Sequence, residues 1–139
     1  MHFEYNILSG DFSNAGTASS RIKKVLKQLN VDSVTIKRIV VALYEAEVNI
    51  VAHSYGGTIF ADINTEEIVL RLKDTGPGIP DINQAMKEGY STASHQVREM
   101  GFGAGMGLPN IKKNADKLEI KSEVGLGTEV TIMVKLNKN

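Results

Sequence analysis

The sequence predicts an α+β fold, a two-layer sandwich in which a mixed, mostly antiparallel sheet is covered on one face by helices. Two observations predict it. Apolar residues recur at helical spacing in two consecutive segments early in the chain, and the strand-like runs come in pairs joined by short turns, as in β-hairpins. Segregated helices and hairpin strands pack as two layers around one core. At 139 residues the chain is sized for a single domain, residues 1–139.

Residues 3–8 read as an edge strand, broken at Ser9-Gly10-Asp11, with Asp11 or Ser13 placed to cap the helix that follows. Ile22, Val25, Leu26 and Leu29 give that helix its apolar face. The turn Asn30-Val31-Asp32-Ser33 supplies a second cap, after which Ile36, Ile39, Val40 and Leu43 repeat at helical spacing to about His53. Tyr55-Gly56-Gly57 then turns the chain into two strands, residues 58–64 and 68–73. Thr65-Glu66-Glu67 joins them as a hairpin, which leaves Asp74 at a strand end. Residues 81–102 are mixed, with a short helical stretch expected at 82–87 and a polar run at 91–96 that reads as a mobile loop. Pro109 suits the first turn of a helix ending near Asp116, because a missing N–H costs nothing there. Two final strands flank Gly125-Leu126-Gly127.

Composition narrows the function classes. Lys+Arg and Asp+Glu number 16 each, so the broad positive field that draws proteins onto nucleic acid is missing, and direct nucleic-acid binding is disfavoured. The absence of cysteine excludes a disulfide framework, a catalytic thiol and thiolate zinc sites, and fits a cytoplasmic protein. No apolar run approaches the roughly 20 residues that span a bilayer, and the first residues lack a basic, apolar leader, so no membrane anchor is expected.

Three separated segments carry the chemistry. Glu45 and Asn49 lie four apart on the second helix and so project from one face. A carboxylate can activate a hydroxyl or water, and an amide oxygen is a hard ligand suited to Mg²⁺. The alternative is that both are solvated or locally hydrogen-bonded, the reading given to their neighbour Glu47. Asp74-Thr75-Gly76-Pro77-Gly78-Ile79 sets a strand-ending acid, a fit acceptor for an adenine amine, beside glycines that permit close approach to a flat ligand. Alone it is also an ordinary turn. Gly101, Gly103, Ala104, Gly105, Met106, Gly107 and Leu108 precede Pro109 at a helix start, where exposed amides and the positive dipole end hold phosphate oxygens. No Gly-Lys-Ser/Thr closes this series and it does not follow a first strand, so it is neither a Walker loop nor a Rossmann fingerprint. Without the other two segments, a plain flexible hinge is as good a reading.

Together the segments resemble the GHKL ATP-binding superfamily, which includes gyrase-type ATPases, heat-shock chaperones, histidine kinases and anti-sigma serine kinases. The likeness runs over about residues 33–134. The stretch from Glu45 through Asn49 to His53 matches the family's N box, Asp74-Thr75-Gly76-Pro77-Gly78 its first glycine box, Gly103-Ala104-Gly105-Met106-Gly107 its second, and Gly127-Thr128 a later Gly-Thr signature. By this resemblance Glu45 is the base that activates a hydroxyl, Asn49 the Mg²⁺ ligand and Asp74 the adenine contact. Thr128 would support the adenine through water, and residues 81–103 would form an ATP lid. His53, Gly76, Gly78, Ile79 and Leu108 join the nucleotide-binding set, although His53 read alone is a packed histidine at a helix end.

Within the superfamily the sequence is most similar to small anti-sigma-factor and switch-protein serine/threonine kinases, because it is a bare domain whose N box runs on through Ala52-His53-Ser54-Tyr55-Gly56. His2, His53 and His95 offer no phosphoacceptor on a helical hairpin, as a histidine kinase requires. Gly103 stands where some anti-sigma kinases place an arginine. Arg98, earlier in the lid, is the substitute candidate for the γ-phosphate contact, its alternative being an exposed residue without a role. The resemblance implies ATP and Mg²⁺ as cofactors and a protein partner, a STAS-like anti-sigma antagonist or a sigma-like regulator. A homodimer through residues 3–29 is a further option. The competing functions are an ATP-sensing protein-binding module with little turnover, and an ATPase subunit of a larger assembly. Lys112, Lys113, Lys117 and Lys121 alternate with Asp116, Glu119 and Glu123 and read as a solvated mixed-charge face.

Overall fold

The computed structural model describes residues 1–76 and 107–137. In chain order the elements are β1 (His2–Ile7), a 3₁₀ turn (Phe12–Asn14), α1 (Thr17–Gln28), α2 (Ser33–His53), β2 (Gly57–Ile63), β3 (Glu67–Asp74), α3 (Gly107–Asn114), β4 (Lys117–Glu123) and β5 (Gly127–Lys135). The sheet order is β1-β2-β3-β5-β4, with β1 at one edge as expected. All four pairings among the described residues are antiparallel, so the mixed sheet anticipated from sequence narrows to an antiparallel one.

Alternation along the strands fixes which face is covered. Ile59, Ala61 and Ile63 of β2, Ile68, Leu70 and Leu72 of β3, and Ile132 and Val134 of β5 are buried beneath Ile22 and Leu26 of α1, Ile39, Leu43 and Ile50 of α2 and Ile111 of α3. The opposite face carries the polar set, where the Arg71 guanidinium lies 5.2 Å from the centre of the Phe60 ring. The sheet is thus buried on one side only, the opposite face mixing charged residues with the half-buried Phe60, Val69 and Met133, and this is the two-layer arrangement the pattern required.

The helix caps divide between the expected and the unexpected. Asp32 caps α2, its Oδ1 accepting from the Thr35 amide at 2.7 Å. α1 has no side-chain cap from its own segment: Gly16 occupies the N-cap at φ 95°, and Asp11 instead takes hydrogen bonds from the side chains of Ser13 and Asn14. The carboxylate of Glu47, on α2, caps α1 from outside. Its Oε2 accepts from the amides of Gly16 (3.0 Å) and Ala18 (3.3 Å), and its Oε1 from the amide (3.2 Å) and hydroxyl (2.8 Å) of Ser19. Glu47 is 0% exposed, so the solvated reading of this residue is wrong. Four unsatisfied donors at a helix start meet the two oxygens of a buried carboxylate, and each satisfies the other.

Candidate nucleotide site

Three strand and helix ends converge at one end of the sheet. Behind α2, the Tyr55 amide donates to the Thr75 carbonyl at 2.7 Å and the Thr75 amide to the Gly56 carbonyl at 3.1 Å, which ties the end of α2 to the end of β3. From the other side the Gly76 amide donates to the Leu126 carbonyl at 3.3 Å, bringing in the β4–β5 turn. Gly127, at φ 145°, lets β5 pass so close that a Cβ there would collide with the Asp74 carbonyl oxygen. α3 packs against α2, with Leu108 and Ile111 buried, so the start of α3 stands beside the helix that carries Glu45 and Asn49.

Asp74 is half-buried at the last position of β3. Its Oδ1 accepts from the Thr128 amide at 3.0 Å, and among the described residues no other group donates to this carboxylate. Burial pushes its carboxyl above the usual carboxylate range, while the Thr128 hydrogen bond opposes the rise. One oxygen is therefore anchored and the second remains an acceptor. The Thr128 hydroxyl lies 2.9 Å from that of Ser122, its cross-strand partner. Ser122 carries no motif: it meets Thr128 because the hairpin closes at Glu123↔Gly127 around Val124-Gly125-Leu126, one residue earlier than the Gly125-Leu126-Gly127 turn read from sequence.

Glu45 and Asn49 are half-exposed on α2, and among the described residues no side-chain hydrogen bond or ion pair reaches either. Gly107 opens α3 and Pro109 sits in its first turn, as anticipated. His53 is the last residue of α2, and Gly76 follows Asp74 in close contact with the Ser54 backbone. Gly78, Ile79, Arg98, Gly103, Ala104, Gly105 and Met106 lie outside the described residues, as do the lid at 81–103 and the short helix at 82–87. Among the described residues no cluster of His, Cys, Asp and Glu is arranged to hold a metal by protein ligands alone. A half-buried acceptor, an unengaged amide oxygen and a helix start fit Mg·ATP. Among the described residues no helix is long and apolar enough to cross a membrane.

Comparison with known proteins identifies the family. The family described as "Histidine kinase-like ATPase domain" matches residues 8–134. The serine/threonine-protein kinase RsbT of Bacillus subtilis (strain 168) is 34% identical over 112 residues, 78% of this chain and 78% of that protein. An anti-sigma F factor of Clostridium beijerinckii is 31% identical over 130 residues, 89% of this chain and 87% of that protein. Among solved structures, the RsbU and RsbW domains of a Mycobacterium tuberculosis protein match with a TM-score of 0.67 at 18% identity, over 99% of this chain and 32% of that one, a likeness of fold. With nearly the whole sequence matched, the chain belongs to the histidine kinase-like ATPase domain family, and its named relatives are serine/threonine kinases and anti-sigma factors.

Proposed function

We propose that this chain is a cytoplasmic, Mg·ATP-dependent serine/threonine protein kinase of the anti-sigma-factor type, which phosphorylates or sequesters a partner protein. The observation that carries the reading is the unengaged pair Glu45 and Asn49 on α2, the helix that α3 packs against and whose end is tied to the end of β3 where the half-buried Asp74 sits. Its relatives' names, a serine/threonine kinase and anti-sigma factors, support the same activity. A STAS-like domain presenting a serine is the partner class proposed.

Asp74 accepts from the exocyclic amine of adenine through the oxygen that Thr128 leaves open, and Thr128 steadies the ring through water. The first amides of α3, at Gly107 and Leu108, hold phosphate oxygens together with Gly103, Ala104, Gly105 and Met106. Arg98 contacts the γ-phosphate, and His53, Gly76, Gly78 and Ile79 complete the nucleotide contacts. Asn49 is the protein ligand to Mg²⁺, which when bound neutralises charge on the phosphates. Glu45 takes the proton from the partner's serine as its oxygen bonds to the γ-phosphorus and the bond to the β-phosphate oxygen breaks, leaving ADP and a phosphoserine.

Incubation with γ-labelled ATP and candidate STAS-domain proteins tests this. Label on a partner serine is the expected result. Tight ATP binding without product would instead indicate a sensing module, and label released only as free phosphate an ATPase subunit.

A further inference from the structure

We propose that Glu47 is a positioning residue for phosphoryl transfer: its buried carboxylate locks the rotation of α2 against α1 and thereby sets where Glu45 and Asn49 point. The inference rests on the kinase reading above. At 3.6 residues per turn, a two-residue step carries a side chain about 200° round a helix, so Glu47 leaves α2 on the flank opposite Glu45 and Asn49. On that rear flank α2 is fastened along its second half. Glu47 receives four hydrogen bonds from Gly16, Ala18 and Ser19, the Tyr44 ring would stand 3.1 Å from a Cβ on Gly16, and the Val51 carbonyl accepts from the Gly10 amide at 2.9 Å.

The chemistry of this attachment matters. Apolar side chains tolerate sliding and small rotations, whereas hydrogen bonds weaken steeply when their angles open. A carboxylate that meets four donors from one helix turn has a single good setting. Rotation of α2 away from it takes the acceptor from the amides of Ala18 and Ser19, whose hydrogen bonds to Glu47 are buried. On the front flank the hydrogen-bonded restraint, Arg38 to Asp116 at 3.0 Å, lies about two turns before Glu45, and beside Glu45 and Asn49 themselves no side-chain partner stands among the described residues. Their aim is inherited from the rear.

Glu47→Gln tests the idea, since it keeps the size of the side chain while turning an NH₂ toward one set of donors. The probes are ATP with and without Mg²⁺, followed by calorimetry, and Mn²⁺·ATP, followed by electron paramagnetic resonance. Asn49→Ala serves as the reference variant. The expected result is that Glu47→Gln loses about tenfold or more of the Mg²⁺-dependent gain in ATP affinity and alters the Mn²⁺ spectrum. Its metal-free ATP affinity, which depends on Asp74, should stay within about twofold. A variant that melts earlier yet keeps the full metal-dependent gain and the native spectrum overturns the proposal, because a merely structural role moves only the melting. Should Glu47→Gln fail to fold, Ser19→Ala removes one of the four donors and should show the same pattern at about twofold to threefold. An unchanged gain in Ser19→Ala counts against the proposal equally. If Asn49→Ala itself keeps the gain, the site assignment has failed and the inference falls with it. If Asn49→Ala loses the gain while Glu47→Gln keeps it, only the role of Glu47 is wrong.

Discussion

Glu45 and Glu47 are chemically identical, sit two residues apart on α2, and have opposite environments. Glu45 is half-exposed with no partner among the described residues, and Glu47 is 0% exposed with both oxygens filled. Asp74 at the end of β3 and Asp116 just before β4 repeat the contrast: Asp74 keeps one oxygen open, whereas Asp116 accepts from Arg38 through Oδ1 and from the Lys135 amide through Oδ2. A carboxylate whose donors are all supplied by the fold can only hold the fold together. One with an open oxygen is available to a ligand, and its charge is held in place by what surrounds it.

The largest effects should separate the two glutamates most clearly. Glu45→Ala should cut transfer to the partner serine by about 10²–10⁴-fold, as expected for loss of a general base, with ATP affinity within a few fold. Its urea midpoint should scarcely move, since an open surface group contributes within about 0.5 kcal/mol. Full kinase activity in this variant would sink the assigned role. Glu47→Ala should do the reverse to stability, costing about 3 kcal/mol or more, because three amides and a hydroxyl lose their acceptor in a dry interior. Urea unfolding measures both. Equal destabilisation by the two substitutions would break the comparison.

That contrast marks the limit of what the sequence disclosed. Period and turn chemistry located every described helix and strand, because Ile36, Ile39 and Leu43 or Ile68, Leu70 and Leu72 declare their buried face by spacing alone. Asp32 was legible as a cap for the same reason, being local. Glu47 was not, since its partners Gly16, Ala18 and Ser19 lie 28 to 31 residues away and no spacing rule links a helix interior to another helix's first turn. The site divides likewise. Asp74 was legible as an acid at a strand end, but the hydrogen bond from the Thr128 amide and the pairing of Ser122 with Thr128 follow only once the sheet register is known.

Asp74 lies between the two classes and so tests where the boundary falls. Asp74→Asn should weaken ATP binding by about 10–100-fold, the loss of a charge-assisted hydrogen bond at a half-buried site, and unchanged affinity would overturn the whole site assignment. The pH dependence carries a second signature. Burial favours the protonated form, so acidification through the raised value stabilises the free protein, whereas nucleotide binding, which needs an acceptor, weakens over the same interval. That acid limb should begin above the ordinary carboxylate range and vanish in Asp74→Asn. Calorimetric titrations at a series of pH values read both.

Asp116 should give the smallest effect and no functional one. The hydrogen bond from the Lys135 amide, with Arg38 beside it, holds its carboxyl below the ordinary value of 3.8. A lowered folded value means that the stabilisation is present above 3.8 and is lost as pH falls through the folded value. Asp116 and Arg38 are each 31% exposed in their side chains, so solvent screens the pair and Asp116→Asn should cost only about 1 kcal/mol at neutral pH. Asparagine keeps one acceptor for two donors, which forces a choice between tying down β5 and tying down α2. Because Arg38 leaves α2 from the flank that also carries Glu45 and Asn49, a loosened Arg38 releases the first half of that helix but leaves its rear attachment at Glu47 intact. ATP affinity and transfer should therefore match the native protein while the urea midpoint falls. A loss of transfer in Asp116→Asn would mean that the aim of Glu45 is set from the front of α2 as well as from behind.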